Sequence, residues 1–123
     1  MATLNLTSES FEETVKSNDI VLIDFWAAWC GPCRMFAPVY EKASNENPDI
    51  VFAKVDTEDQ QELAGAFQIM SIPTLMAFRD QILLYSQPGA LPASALDSLI
   101  TQIRALDMDE VREKIAEAEK AQA

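Results

Sequence analysis

Apolar and polar positions change rhythm several times along this chain, and each change marks an element. Phe11 and Val15 stand four apart in SFEETVKS, one face of a first helix that Thr7 or Ser8 can cap and that runs to about Ser17. Ile20 to Trp26 (IVLIDFW) is almost wholly apolar and rich in β-branched and aromatic residues, the pattern of a central strand covered on both faces. From Cys33 the pattern turns helical, with Met35, Val39 and Tyr40 on nearby turns. Pro38 has no N–H to continue the ladder and predicts a kink there, and Asn47-Pro48-Asp49 ends the run.

Ile50 to Asp56 (IVFAKVD) reads as a second strand, and Thr57 to Gln60 has the spacing of a capping box opening a short helix toward Phe67. Beyond Ser71-Ile72-Pro73-Thr74, the segments TLMAFRD and ILLYSQ predict two strands joined so closely that they form an antiparallel hairpin. Pro88-Gly89 is a turn, and Leu96, Leu99, Ile100 and Ile103 give a last core helix that begins in Pro92 to Ser94. Together these elements predict an α/β domain, a mixed sheet with helices on both faces.

The composition changes after Leu106. DMDEVREKIAEAEKAQA is charged, with a single apolar stripe of Met108, Val111, Ile115 and Ala118. It reads as a solvated helix that continues or folds back from the last core helix, helped by Glu110 and Lys114 at i, i+4. A weak partner-binding or dimer-forming helix is the alternative. The expected organisation is a domain over 1–106 and a helical extension over 107–123.

At 123 residues such a domain buries about two thirds of the surface its unfolded chain exposes, so it needs no crosslink to hold a core. The formal net charge of -11 repels phosphate backbones and anionic membrane surfaces, which argues against nucleic-acid or membrane partners and for protein ones. MATLNLTSESFEET has no basic region followed by a long apolar run, and Asp24 interrupts the most apolar segment. A cytoplasmic location and a monomer are the expectations.

Against this background the two cysteines, Cys30 and Cys33, stand in WAAWCGPC with only Gly31 and Pro32 between them. A structural zinc site needs four ligands, and the chain has no histidine and no second cysteine pair to complete one, so no metal is expected. A structural disulfide closing so short a loop removes little entropy from the unfolded chain. Redox exchange makes better use of the pair. A strand ending at Trp26 and a helix opening nearby put Cys30 at a helix N-terminus, where unpaired N–H groups and the helix dipole favour a thiolate; with its sulfur exposed, Cys30 is the nucleophile. Cys33, one turn on, is within disulfide reach and resolves the mixed disulfide intramolecularly. Gly31 permits close approach of a partner backbone, and Pro32 suits a first helical turn.

The stretch Asp24-Phe25-Trp26-Ala27-Ala28-Trp29-Cys30-Gly31-Pro32-Cys33 resembles the active-site segment of the thioredoxin family. The resemblance continues through Pro38, Lys54, Asp56, Ser71-Ile72-Pro73-Thr74-Leu75 and Gly89-Ala90, and covers roughly residues 3 to 106 in order. It implies a five-stranded mixed sheet of order 1-3-2-4-5 flanked by four helices, with Pro73 cis beside the disulfide. It also implies a thiol-disulfide oxidoreductase without a dissociable cofactor, supplied with electrons from NADPH through thioredoxin reductase and acting on disulfide-containing client proteins. The sequence departs from the family pattern at Arg79-Asp80-Gln81, where a glycine-containing turn is commoner, and in the residues beyond 106.

The resemblance also assigns roles around the cysteines. Asp24 becomes a buried carboxylate moving protons to and from Cys33, its pKa raised by burial and opposed by Lys54 on the neighbouring strand. Trp29, Ile72, Pro73, Gly89 and Ala90 form the shallow apolar surface that receives a client, while Trp26 packs beneath it. Two other activities fit the same fold. An adaptor or holdase would bind through this surface without turnover, and a disulfide-forming oxidant would have a potential well above the about -270 mV of reducing thioredoxins.

Overall fold

The computed structural model describes residues 2–122. In chain order the elements are β1 (Thr3–Asn5), α1 (Phe11–Ser17), β2 (Ile20–Trp26), α2 (Gly31–Glu46), β3 (Val51–Asp56), α3 (Gln61–Ala66), β4 (Thr74–Arg79), β5 (Ile82–Pro88), α4 (Ala93–Ala105) and α5 (Met108–Gln122). The strands form one sheet in the order β1-β3-β2-β4-β5, with β1, β3 and β2 parallel and β4 and β5 antiparallel to their neighbours. This is the order that the resemblance implies. β1 is absent from the periodicity reading because three residues, none of them buried, carry no alternation to detect.

The central strand is apolar on both sides because both sides are covered. Ile20 and Leu22 face Phe36, Tyr40 and Ala43 of α2 and Leu96, Ile100 and Ile103 of α4. Val21, Ile23 and Phe25 face the opposite core, with Val15 from α1 and Leu63 and Ala64 from α3. Alternation therefore sends Asp24, in phase with Ile20 and Leu22, toward the α2 side. In register it lies between Lys54 of β3 and Leu75 of β4.

Local chemistry sets the element ends, in places differently from the sequence expectation. The side-chain cap expected from Thr7 or Ser8 is not formed on α1, which begins at Phe11 with Ser10 as its N-cap residue; Thr7 instead closes the preceding turn, its Oγ1 accepting from the Ser10 N–H at 3.2 Å while Ser10 Oγ accepts from the Thr7 N–H at 3.0 Å. The helix expected from Cys33 begins two residues earlier at Gly31, with Pro32 in its first turn and Pro38 inside it. The capping box expected at Thr57 to Gln60 is not formed. Asp56 Oδ1 accepts from the Glu58 N–H instead, Thr57 Oγ1 donates to the Trp26 carbonyl, and α3 starts only after Gln60.

The β4–β5 turn has Asp80 and Gln81 at φ +52° and +67°, so two non-glycine residues occupy left-handed backbone. The turn is held from outside: the Asp80 N–H donates to the Asp19 carbonyl at 2.9 Å, and Asp80 pairs with Arg112 of α5 at 3.2 Å. Arg79 reaches the other way and donates to the carbonyls of Ile103 and Leu106 at the end of α4. Extended backbone at Leu106 separates α4 from α5, whose first turn is capped by Asp107. α5 is solvated along its length apart from Met108, which is buried, and Val111, which is half-buried. None of the described helices is long and apolar enough to cross a membrane.

Candidate active site

Parallel α/β sheets leave a crevice beyond the carboxyl ends of their strands. The chain leaves β2 at Trp26, forms the loop Ala27 to Trp29, and enters α2 with Cys30 as its N-cap residue. Cys30 and Cys33 are joined as a disulfide with their Cα atoms 5.2 Å apart. The Cys33 N–H donates to Cys30 Sγ at 3.2 Å, and the first turn of α2 carries no acidic residue. A negative charge on Cys30 sulfur therefore meets a backbone donor and the positive helix end, with no carboxylate of that turn opposing it.

The exposed sulfur expected at Cys30 is not found in the disulfide form. Cys30 is 4% exposed and Cys33 3%, because both pack with Ala27 against Trp26 and Ile72. What separates the two cysteines is position along the helix, Cys30 at the cap and Cys33 inside the first turn.

Three other segments complete the site. The Ile72–Pro73 bond is cis, as the resemblance implies, and the Ile72 carbonyl oxygen lies 3.6 Å from Cys30 Sγ. Gly89 has φ +110°, a conformation that a side chain would strain, and its N–H donates to the Pro73 carbonyl at 2.8 Å. That bond ties the Gly89-Ala90 turn to the proline loop, so Ile72, Pro73, Gly89 and Ala90 form a connected ledge beside the disulfide. Ile72 is half-buried, Pro73 buried, and Gly89 and Ala90 exposed. Trp29 is 66% exposed on the other part of the rim, while Trp26 is half-buried beneath.

Asp24 is fully buried, and among the described residues neither of its carboxylate oxygens has a hydrogen-bond partner; Trp26 Nε1 likewise has none. Unpaired buried polar atoms are rare, and these belong to two residues of β2, two positions apart, on the strand that leads into the cysteine loop. Burial raises the Asp24 carboxyl to about 7, opposed by the positive charge of Lys54. Lys54 sits opposite Asp24 in the β2–β3 register, yet its ammonium lies over the Trp26 ring, 4.9 Å from the centroid. It thus acts on Asp24 through space and leaves the carboxylate unpaired. Tyr40, one helical face with Cys33 and Phe36, is also buried and donates to the Ala53 carbonyl at 2.8 Å. Its phenol is pushed up by burial and then by the Asp24 charge.

Two charged side chains that contact the Ala27 to Trp29 loop carry no signal in the sequence. Arg34 Nη1 donates to the Ala28 carbonyl at 2.9 Å, and Glu58 Oε1 accepts from Trp29 Nε1 at 3.2 Å. Neither forms a motif, since each acts through a single contact distant in sequence or to backbone. Among the described residues no group of histidine, cysteine or carboxylate side chains is placed to hold a metal.

A dithiol-disulfide pair at a helix N-terminus, following a strand that buries an unpaired carboxyl and lying beside a cis-proline ledge, defines the class: a thiol-disulfide oxidoreductase. The family model for thioredoxin matches residues 2–102. A putative thioredoxin 2 of Streptomyces coelicolor is 62% identical over 122 residues, 99% of this chain and 90% of that protein. Thioredoxin of Bacillus subtilis is 41% identical over 103 residues, covering 83% of this chain and 98% of the relative. Among solved structures, a mutant thioredoxin from Halobacterium salinarum superposes with a TM-score of 0.79 at 34% identity, over 85% of this chain and 93% of that one. The chain belongs to the thioredoxin family. Its Streptomyces relative matches nearly the whole chain, the extension included, whereas the family model stops within α4.

Proposed function

We propose that the chain reduces protein disulfides by a two-step exchange. The Cys30 thiolate attacks one sulfur of a client disulfide, forming a Cys30–client bond and releasing the other client sulfur as a thiolate. Cys33, deprotonated by Asp24, then attacks Cys30 Sγ. That step releases the second client sulfur and closes the Cys30–Cys33 disulfide, so two electrons pass from the protein to the client. Gly31 and Pro32 keep the pair within one turn, and Lys54 moderates the proton affinity of Asp24. Clients lie across Trp29, Ile72, Pro73, Gly89 and Ala90, whose backbone groups and shallow apolar surface suit an extended segment.

What supports this reading above all is the bond from the Cys33 N–H to Cys30 Sγ, because it favours charge on the first sulfur and not the second. Electrons return from NADPH through thioredoxin reductase, and the protein works as a monomer in the cytoplasm, where such pairs are kept reduced. Residues 1–106 carry the exchange and 107–123 form an extension outside it. The adaptor and oxidant readings gain nothing from the relatives, which are named as thioredoxins.

The test is insulin reduction coupled to NADPH and a bacterial thioredoxin reductase. Catalytic NADPH consumption that scales with the protein is expected. Stoichiometric binding of intact insulin without NADPH consumption would favour the adaptor and overturn the reductase.

A further inference from the structure

Glu58 stands out because it touches the client surface yet has no assigned task. It lies in the turn between β3 and α3, and that turn is fixed at several points. The Thr57 N–H and Oγ1 donate to the Trp26 carbonyl at 2.9 and 3.0 Å, the Glu58 N–H donates to Asp56 Oδ1 at 2.9 Å, and the Gln60 N–H donates to the Asp56 carbonyl at 2.8 Å. The side chain therefore projects from a rigid base, and its Oε1 accepts from the Trp29 indole at 3.2 Å. Trp29 is the residue before the nucleophile and 66% exposed, so without a polar anchor its ring would be free to turn.

The charge of Glu58 is unspent. It forms no ion pair among the described residues. The neighbouring acids differ: Asp56 is occupied by the backbone N–H groups of Glu58 and Asp59, and Asp59 accepts from Gln60 Nε2. Arg34 is the charged group on the α2 side of the same loop, and its guanidinium is committed to the Ala28 carbonyl, with Nη2 3.9 Å from where a side chain on Gly31 would begin. A client laid over Trp29 thus meets a fixed, exposed carboxylate.

We propose that Glu58 is a specificity-determining residue of the exchange reaction: it holds the Trp29 indole and favours client disulfides flanked by lysine or arginine. The proposal rests on the reductase reading and names the substrate class of that same site. One function is positional, since the indole bond sets the wall against which a client packs. The other is electrostatic, since an exposed carboxylate attracts a nearby cation more strongly than a distant one and is screened by salt.

The test uses three disulfide-closed peptides, identical except for lysine, glutamate or alanine on both sides of the cystine, with kcat/KM measured under reductase coupling. The unmodified chain is expected to prefer the lysine peptide to the glutamate peptide. Glu58→Gln keeps an oxygen for the indole and removes the charge, so it should narrow that ratio about two- to fivefold at low salt while leaving tryptophan emission unchanged. Glu58→Ala should narrow the ratio and also shift the emission. Glu119→Gln, on the exposed arm of α5, changes net charge equally and should leave the ratio as it was. An unchanged ratio in Glu58→Gln, or equal narrowing in Glu119→Gln, would overturn the proposal, the second by assigning the preference to net charge. Failure of the unmodified chain to reduce the alanine peptide would overturn the reductase reading itself, and this inference with it.

Discussion

Cys30→Ser abolishes reductase-coupled turnover, by at least about 10³-fold, because loss of an enzyme's nucleophile removes the covalent step entirely. A serine hydroxyl is not ionised near neutral pH and does not exchange with disulfides. The effect is on chemistry and not on folding. Cys30 is buried and serine is close to it in size, and the disulfide that is lost closes too short a loop to restrain the unfolded chain much. Unfolding midpoints of the two proteins in reductant should therefore nearly coincide while NADPH consumption in the variant falls to background. Turnover within tenfold of the unmodified protein would move the attacking role away from Cys30.

Asp24→Asn has the second large effect, and it runs in opposite directions for stability and activity. The folded chain holds the Asp24 proton up to about pH 7, whereas an unfolded aspartate releases it near the ordinary 3.8. Between those values the native state binds more protons than the unfolded state, so the carboxyl's contribution to stability is full below pH 4 and falls as pH rises through 7. Ionising this side chain without a hydrogen-bond partner is what costs stability. Asparagine has nearly the same shape and does not ionise, so the variant should match the parent near pH 4 and exceed it by roughly 4 kcal/mol at pH 8. Urea unfolding of the oxidised proteins at the two pH values measures this. Turnover at pH 7 should fall at least about tenfold, since Cys33 loses its proton acceptor. A stability difference independent of pH would mean that Asp24 does not titrate in this range.

Most of this fold is legible in the residues, for reasons that differ by element. β2 is legible because it is buried on both faces, and a run such as IVLIDFW fits few places in a fold other than a covered central strand. The same rule makes Asp24 conspicuous, since an acid in a fully covered strand needs a reason. β1 is not legible from periodicity, being three unburied residues whose pairing partner lies some fifty positions away on β3. The later start of α3 has a similar origin. Thr57 has the side chain of a cap, but the Trp26 carbonyl claims its hydroxyl and Asp56 claims the free N–H groups, neither of which a local pattern reveals.

The site divides in the same way. CGPC and the proline loop are contiguous, and the resemblance they carry locates the disulfide, the cis bond and the ledge. Burial of Cys30 depends on Ile72, forty-two residues away, so exposure cannot be read from its neighbours. Glu58 and Arg34 give no signal because each makes its contact across an ordinary stretch of sequence. The hairpin turn is a third case: Asp80-Gln81 lacks glycine, and its left-handed backbone is held by Asp19 and by Arg112 from the extension.

The exchange has a fixed order, Cys30 first and Cys33 second, and trapping the intermediate reveals it. Reduced Cys33→Ser is mixed with a disulfide-closed peptide without other reductant, and the product is digested and weighed by mass spectrometry. The expected product is an adduct in which Cys30 is joined to one half-cystine of the peptide, while reduced Cys30→Ser gives none at neutral pH. An adduct on Cys33 in the Cys30→Ser protein, with none on Cys30 in the other, would contradict it.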